Sequence, residues 1–275
     1  MKFRLIFIAV CTVLCVAPYL LYQRHLQSVT APDNVPELFS MTERITPVAF
    51  DTTQAMAEAF QASEQPIYIQ SFPSDFDKVG TPELFMRALL PYVQWYNKQL
   101  LTDRQQVIAM ANKLWAHLPL TATEEERFLQ LSQLYDVKGD VDAGTAYQLL
   151  EKINVIPPTV ALSVALVETE DGTKHLDAPF GVFVWNEDNR YVRAAYPDVE
   201  QAYYAWMYQL NTADAHAAFR SQRQQWVSPK PYVGYFLLAF LRSLRPYDGD
   251  YTETLTDTYK QYQLIRFEER DEKDS

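Results

Sequence analysis

The chain has 275 residues, 48% of them hydrophobic and 14% aromatic, which is enough apolar material for one sizeable core or two small ones. With 7 Gly against 16 Pro it reads as helical and loop-punctuated rather than β-rich. A formal charge of −11 argues against nucleic acid, whose phosphates need basic patches, and otherwise reports solubility.

The N-terminus sets Lys2 and Arg4 before an uncharged run from Leu5 to Tyr22, with Arg24 and His25 following. Such a run sits at the lower limit for spanning a bilayer. Val16-Ala17-Pro18-Tyr19 is a poor cleavage site, so residues 1–26 are expected to be an uncleaved inner-membrane anchor; a cleaved signal peptide is the alternative. Both cysteines, Cys11 and Cys15, lie inside this segment, so the remainder can form no disulfide and no Cys-ligated zinc site. His25, His117, His175 and His216 lack metal-ligand spacing, and neither metal nor cofactor is expected.

Residues 27–64 carry Pro32, Pro36 and Pro47 and read as a tether, with a short amphipathic helix over 51–63. Ile67-Tyr68-Ile69 suggests a short extended piece. Thr81-Pro82-Glu83 is an N-cap, a first-position Pro and an early acid, opening a helix that should kink at Pro91 and run towards Leu118. Thr123-Glu124-Glu125-Glu126 has capping-box spacing before Phe128, Leu131 and Leu134. A short helix over Asp142–Lys152 follows, and then the Pro-started helix Pro157–Glu168. Phe180 to Tyr196 changes to period two around Asn186-Glu187-Asp188-Asn189 and predicts a β-hairpin. Helices resume over Val199–Leu210, Ala213–Gln225, Pro229–Arg245 and Tyr251–Ile265, with Ser228 and Asp250 as caps. Residues 65–267 form the expected domain and 268–275 a charged, disordered tail.

The helix ending in Glu168 carries the chemistry. Its Ala-, Val- and Leu-rich body has little use for a carboxylate unless that group is solvated or working. Apolar neighbours and the helix C-terminal dipole would both favour a protonated acid, as a general acid for glycosidic cleavage requires. By spacing alone, a surface glutamate at a frayed helix end is the simpler reading.

Pro157, Pro158, Ala161, Leu162, Ala165, Glu168, Gly172 and Thr173 stand in the register of a longer pattern. Phe180-Gly181, then Tyr191, Arg193 and Tyr196, Leu210-Asn211-Thr212 and Phe219-Arg220-Ser221-Gln222-Arg223 continue it. In these segments, and more loosely from residue 65 to 265, the chain resembles the bacterial glucosaminidase family, Bax-like group, whose members cleave peptidoglycan glycan strands. The resemblance implies a mainly α, lysozyme-like domain with one small β-hairpin lobe, exposed to the periplasm of a Gram-negative cell. It implies an endo-β-N-acetylglucosaminidase, with peptidoglycan as the partner and Glu168 as general acid. The chain departs from the family at Thr169-Glu170-Asp171, where Ser-Gly-Trp is usual, and at Ala178-Pro179, where an Asn pair is usual. These departures set a second reading beside the first: a non-hydrolytic member that binds glycan or a cell-wall protein. A lytic transglycosylase on the same fold is a third.

Tyr196 matches an aromatic position that in the family points towards the reaction centre, which implies a catalytic or substrate-positioning role. Phe180, Gly181, Trp185, Tyr191 and Tyr203 are the implied substrate-binding residues, with Tyr204 a further aromatic. Trp185, Tyr191, Tyr203 and Tyr204 are equally readable as filling the hairpin–helix seam, and Phe180 and Gly181 read more simply as shaping the strand start. The second carboxylate is open between Glu170, Asp171, Glu187 and Asp188, and substrate-assisted attack would need none.

Overall fold

The computed structural model describes residues 45–185, 190–225, 233–246 and 248–268. The expected anchor at 1–26 and the charged end after Glu268 lie outside these residues. Among the described residues no helix is long and apolar enough to cross a membrane. The fold is mainly helical, with one two-stranded antiparallel sheet.

The first helix, α1 (Thr53–Ala62), corrects the expected tether. Thr52 caps it by accepting from the Ala55 amide, and Met56 and Phe60 are buried in the core. Thr53 donates through its amide and hydroxyl to Asp75 at 2.9 and 2.7 Å, and Val48 forms a parallel bridge with Ile69. Residues 45–64 therefore belong to the packed domain. The short amphipathic helix expected over 51–63 is present, with Met56 and Phe60, four residues apart, as its buried face.

After the single turn α2 (Phe76–Val79), α3 (Pro82–Trp115) runs for 34 residues, about 50 Å at 1.5 Å per residue. Thr81 caps it as predicted, and it passes through the buried Pro91 without interruption. The helix α4 (Ala122–Leu134) is opened by a capping box on Thr121 and Glu124, two residues before the expected Thr123. Lys113 also bonds Glu124, at 2.6 Å, and with the Thr121 bonds it brings that carboxyl down to about 2. Asp142 caps α5 (Ala143–Lys152). The C-terminal carbonyls of α5 meet two arginines: Arg104 bonds those of Leu150 and Ile153, and Arg223 those of Glu151 and Lys152. Arg220 bonds the Ala213 carbonyl at 2.5 Å. The Phe219–Arg223 motif thus serves packing and capping.

Helix α6 (Pro158–Glu168) is the centre of the fold. All of its residues except Val167 are buried, as an apolar helix without a polar face must be. The hairpin follows as β1 (Phe183–Trp185) and β2 (Tyr191–Arg193), with Val184 opposite Val192. Asp198 caps α7 (Val199–Thr212). The predicted helix over Ala213–Gln225 divides into a 3-10 turn, Asp214–His216, and α8 (Ala217–Gln225). The expected Pro229–Arg245 helix falls partly outside the described residues, as does Ser228; its described part is α9 (Val233–Leu238) followed by a 3-10 turn, Leu241–Leu244. Asp250 precedes α10 (Tyr251–Gln261) without a side-chain capping bond. Against α6 pack α3, α9, α10 and the last 3-10 turn, Leu264–Phe267. Glu268, expected in the disordered tail, bonds the Thr159 hydroxyl at the start of α6.

Candidate functional site: a clamped carboxylate at the end of the central helix

Because α6 is buried on every side, its polar chemistry is confined to its ends. At the C-terminal end Thr169 folds back, its hydroxyl donating to the Ala165 carbonyl at 2.7 Å and accepting from the Gly172 amide at 2.9 Å. Glu170, Asp171 and Gly172 then take φ of +48°, +62° and +83°, a left-handed run that turns the chain within three residues. Two of them are not glycine, at a cost of about 1–2 kcal/mol each. The turn brings Gly181 against the Glu168 carboxyl, where a Cβ would overlap it, and Gly181 itself has φ +60°. Gly181 lets the carboxyl lie where it does.

Glu168 is 4% exposed, and three donors hold its carboxylate. Arg193 of β2 reaches Oε2 at 2.9 Å and places its other terminal nitrogen on the Glu168 carbonyl at 3.1 Å. Arg245, just past the Leu241–Leu244 turn, bonds the same Oε2. The Tyr251 hydroxyl, on α10, donates to Oε1 at 2.9 Å. Burial, then the Glu168 charge, pushes the Tyr251 hydroxyl well above its ordinary range and fixes it as a donor. The Phe183 ring completes the group, with the Arg245 guanidinium 3.9 Å and that of Arg193 5.3 Å from its centre.

This corrects the expected environment. The helix body is apolar, but the side chain at its end leaves that surface and enters a ring of cations. Two guanidiniums face one carboxylate, and with the Tyr251 phenol they reach both of its oxygens.

The other predicted residues scatter. Tyr203 is fully buried, its ring 5.2 Å from Phe180 and 5.5 Å from Tyr96. Phe180 stacks on Trp206 at 5.2 Å, and Tyr204 is buried in the same cluster. These three aromatics cannot stack on a sugar, because the core already covers both faces of their rings. Trp185 and Tyr191 form a backbone pair in the hairpin, but their side chains lie outside the described residues, as do Glu187 and Asp188. Glu170 is on the surface and pairs with Lys174 at 2.7 Å. Asp171 accepts from the Tyr262 hydroxyl, which burial first and this bond second push up to about 12. Among the described residues no group of His, Cys, Asp and Glu could hold a metal ion.

Tyr196 does not join Glu168. It lines a separate cleft of 340 Å³ with Phe72, Asp77, Leu176, Asp177 and Asp198. A larger shallow cleft of 580 Å³, between α1 and the start of α3, touches none of the predicted residues.

Sequence reasoning missed Arg245 and Tyr251, which lie 77 and 83 residues from the carboxylate they hold. Arg193 was visible only as part of an aromatic–Arg–aromatic motif. The nearest available signal was the apolar helix itself, because a carboxylate at its end demands partners. Comparison with family models, with curated proteins and with solved structures finds no match to this chain.

Proposed function

We propose that the chain acts on the glycan strands of peptidoglycan as an endo-β-N-acetylglucosaminidase of lysozyme-like fold, with Glu168 as its catalytic carboxylate. One observation carries this reading. Two guanidiniums and a phenol, brought by β2, the segment after Leu244, and α10, converge on one buried carboxylate at the end of the central helix. Buried charges need partners, and keeping a carboxylate at this buried helix end takes three oriented donors from distant segments. Placement of the domain in the periplasm, by an anchor at residues 1–26 or after its cleavage, belongs to the same proposal.

The leaving oxygen of a glycoside must receive a proton as the oxocarbenium-like state forms. In the arrangement described, Oε2 is occupied by two cations, so this is the resting state. In this scheme Arg245 and the Arg193 nitrogen on Oε2 withdraw and Glu168 takes a proton from solvent, while Tyr251 keeps Oε1 oriented. Glu168 passes that proton to the leaving oxygen as the C1–O bond breaks, and a water adds to C1 and releases its own proton. A sugar ring arriving over Phe183 would compete with Arg245 for that aromatic face. The scheme calls on no metal or cofactor.

A second reading has its own observation. A carboxylate satisfied entirely by protein donors suits a structural keystone in a non-hydrolytic member that binds glycan or a cell-wall protein. Digestion of purified peptidoglycan separates the two. Wild type should release muropeptides with N-acetylglucosamine reducing ends, and Glu168→Gln should release none. Anhydro-sugar ends would instead make the reaction a lytic transglycosylation, and no release by a folded wild type would leave the second reading standing.

A further inference from the structure

The outward side of α3 carries an apolar line that the domain leaves half uncovered. Leu101, Ile108 and Trp115 recur at every seventh residue and so stand in one row, about 21 Å long at 1.5 Å per residue. They are 47%, 39% and 50% exposed, whereas the other large apolar side chains of α3 lie in or against the core. Asp103, Gln106 and Lys113 mark the side of α3 that meets α4, through Arg127 and Glu124. At 3.6 residues per turn the row falls on the opposite side of the helix, away from α4 and its Glu124, Glu125 and Glu126. The exposed arc beside the row holds Lys98, Thr102, Gln105, Ala109, Asn112 and Ala116, with Lys98 as its one charge. The one acid between Lys98 and Leu118, Asp103, is buried in its pair with Arg127. In a chain of net charge −11, this is a face without exposed acids.

The shape of the face narrows what can cover it. The row is convex and one helix wide, so it offers a protein partner no groove. A strip of about 21 Å by about 10 Å also falls well short of the roughly 800 Å² per partner that a stable dimer buries. A bilayer surface needs neither a groove nor a large patch. An interfacial helix sinks one apolar side about 5–10 Å into the headgroup–acyl boundary, where Trp is favoured and Lys meets lipid phosphate. The uncharged run from Leu5 to Tyr22 is the expected anchor, and residues 23–44 can carry Ile45 no further than about 75 Å from its end at about 3.4 Å per residue. A domain so tethered meets the surface at high effective concentration, so a face of weak intrinsic affinity suffices.

We infer that α3 docks on the membrane surface, with Leu101, Ile108 and Trp115 in the headgroup–acyl boundary and Lys98 against the phosphate of an anionic lipid. The inference rests on the anchor in the reading above and not on any reaction at Glu168. It fixes which side of the domain is turned to the bilayer.

The full chain with Cys11→Ser and Cys15→Ser, reconstituted in vesicles of phosphatidylethanolamine and phosphatidylglycerol, tests it by spin labelling. A nitroxide on Ile108→Cys should lose most of its collisions with a water-soluble nickel chelate and gain collisions with oxygen. One on Glu125→Cys of α4 should stay open to the chelate. A label on Leu101→Cys should repeat the signature of 108, so the outcome does not hang on one variant. Leu101→Gln with Trp115→Gln, both at exposed positions, should return the label at 108 to the chelate. A label at 108 as open to the chelate as that at 125 overturns the docking. So does a label shielded from chelate and oxygen alike, because a second copy of the chain would then cover the face. Flotation with the vesicles is scored separately. A chain that floats with 108 open loses the docking alone, and a chain that does not float loses the anchor and the docking together.

Discussion

Replacing Glu168 by Gln keeps the side-chain shape and removes the charge, leaving Arg193 and Arg245 to share a neutral amide. Breaking a buried pair by removing one partner costs about 3–5 kcal/mol when the other charge is stranded in a dry interior. Here the two guanidiniums keep 21% and 18% exposure, and Arg245 retains the Phe183 ring, so the loss should be nearer 2–3 kcal/mol. For a domain of this size that is a fall in Tm of about 4–12 °C, read by circular dichroism melts. A double-mutant cycle with Arg245→Met isolates the pair: the double variant should recover about 1–2 kcal/mol of the summed losses, because the second substitution removes a cation the first left unpaired. Neutralising a carboxylate held there under strain would instead leave stability unchanged or raise it. A Glu168→Gln protein that melts at or above wild type would refute the clamp as what holds this carboxyl in place. The same melts show whether an inactive variant is folded.

Gly181→Ala should be as damaging as losing the charge, about 2–4 kcal/mol, because φ is +60° and the new methyl overlaps the Glu168 carboxyl; denaturant unfolding with an unchanged slope would check it. His216 is held neutral by burial, then by Arg220, down to about 3, while the unfolded chain takes up the proton near 6.5. The unfolded state thus binds more protons between these values. Stability should fall with decreasing pH from 6.5 towards 3 by about 1.4 kcal/mol per unit from this group, and His216→Leu should remove that part of the slope.

What the sequence disclosed was local. Thr81 before Pro82 marks a helix start because its side-chain oxygen meets an amide three residues on, as expected; Asp142, expected as the first helical residue, is instead the cap of α5 by the same bond. Pro158 and Glu168 bound α6 because its composition admits no polar face. The Thr121 box was misplaced because two threonines precede the glutamates, and only the one bonded reciprocally to Glu124 closes it. The helix through Val233–Leu238 ends before the predicted Arg245, as an apolar run does not mark its own C-terminal end. Tyr203 and Phe180 were read as sugar-facing, although an aromatic beside a hairpin serves a core equally well and only packing decides. The site was legible in one residue of its four principal ones. Glu168 announces itself, whereas Arg193, Arg245 and Tyr251 carry no local mark of their destination.

The position of Glu168 makes those partners necessary. At a helix C-terminus the exposed carbonyls carry partial negative charge, so an anion placed there is opposed by the helix itself. The opposite end of α6 shows the favourable case, where Glu268 sits by the first turn and bonds Thr159. Protonation and countercharge are the two ways a carboxyl can tolerate the unfavourable end. The sequence reading chose the first, because the helix is apolar. The structure uses the second, and Arg193 answers both demands at once, with one nitrogen on the carboxylate and another on the Glu168 carbonyl. Arg245 is the additional cation, and its bond to Oε2 is the one that can be given up without uncovering the helix end. Arg193 and Arg245 together thus offset the unfavourable field that the helix end imposes on the Glu168 carboxylate.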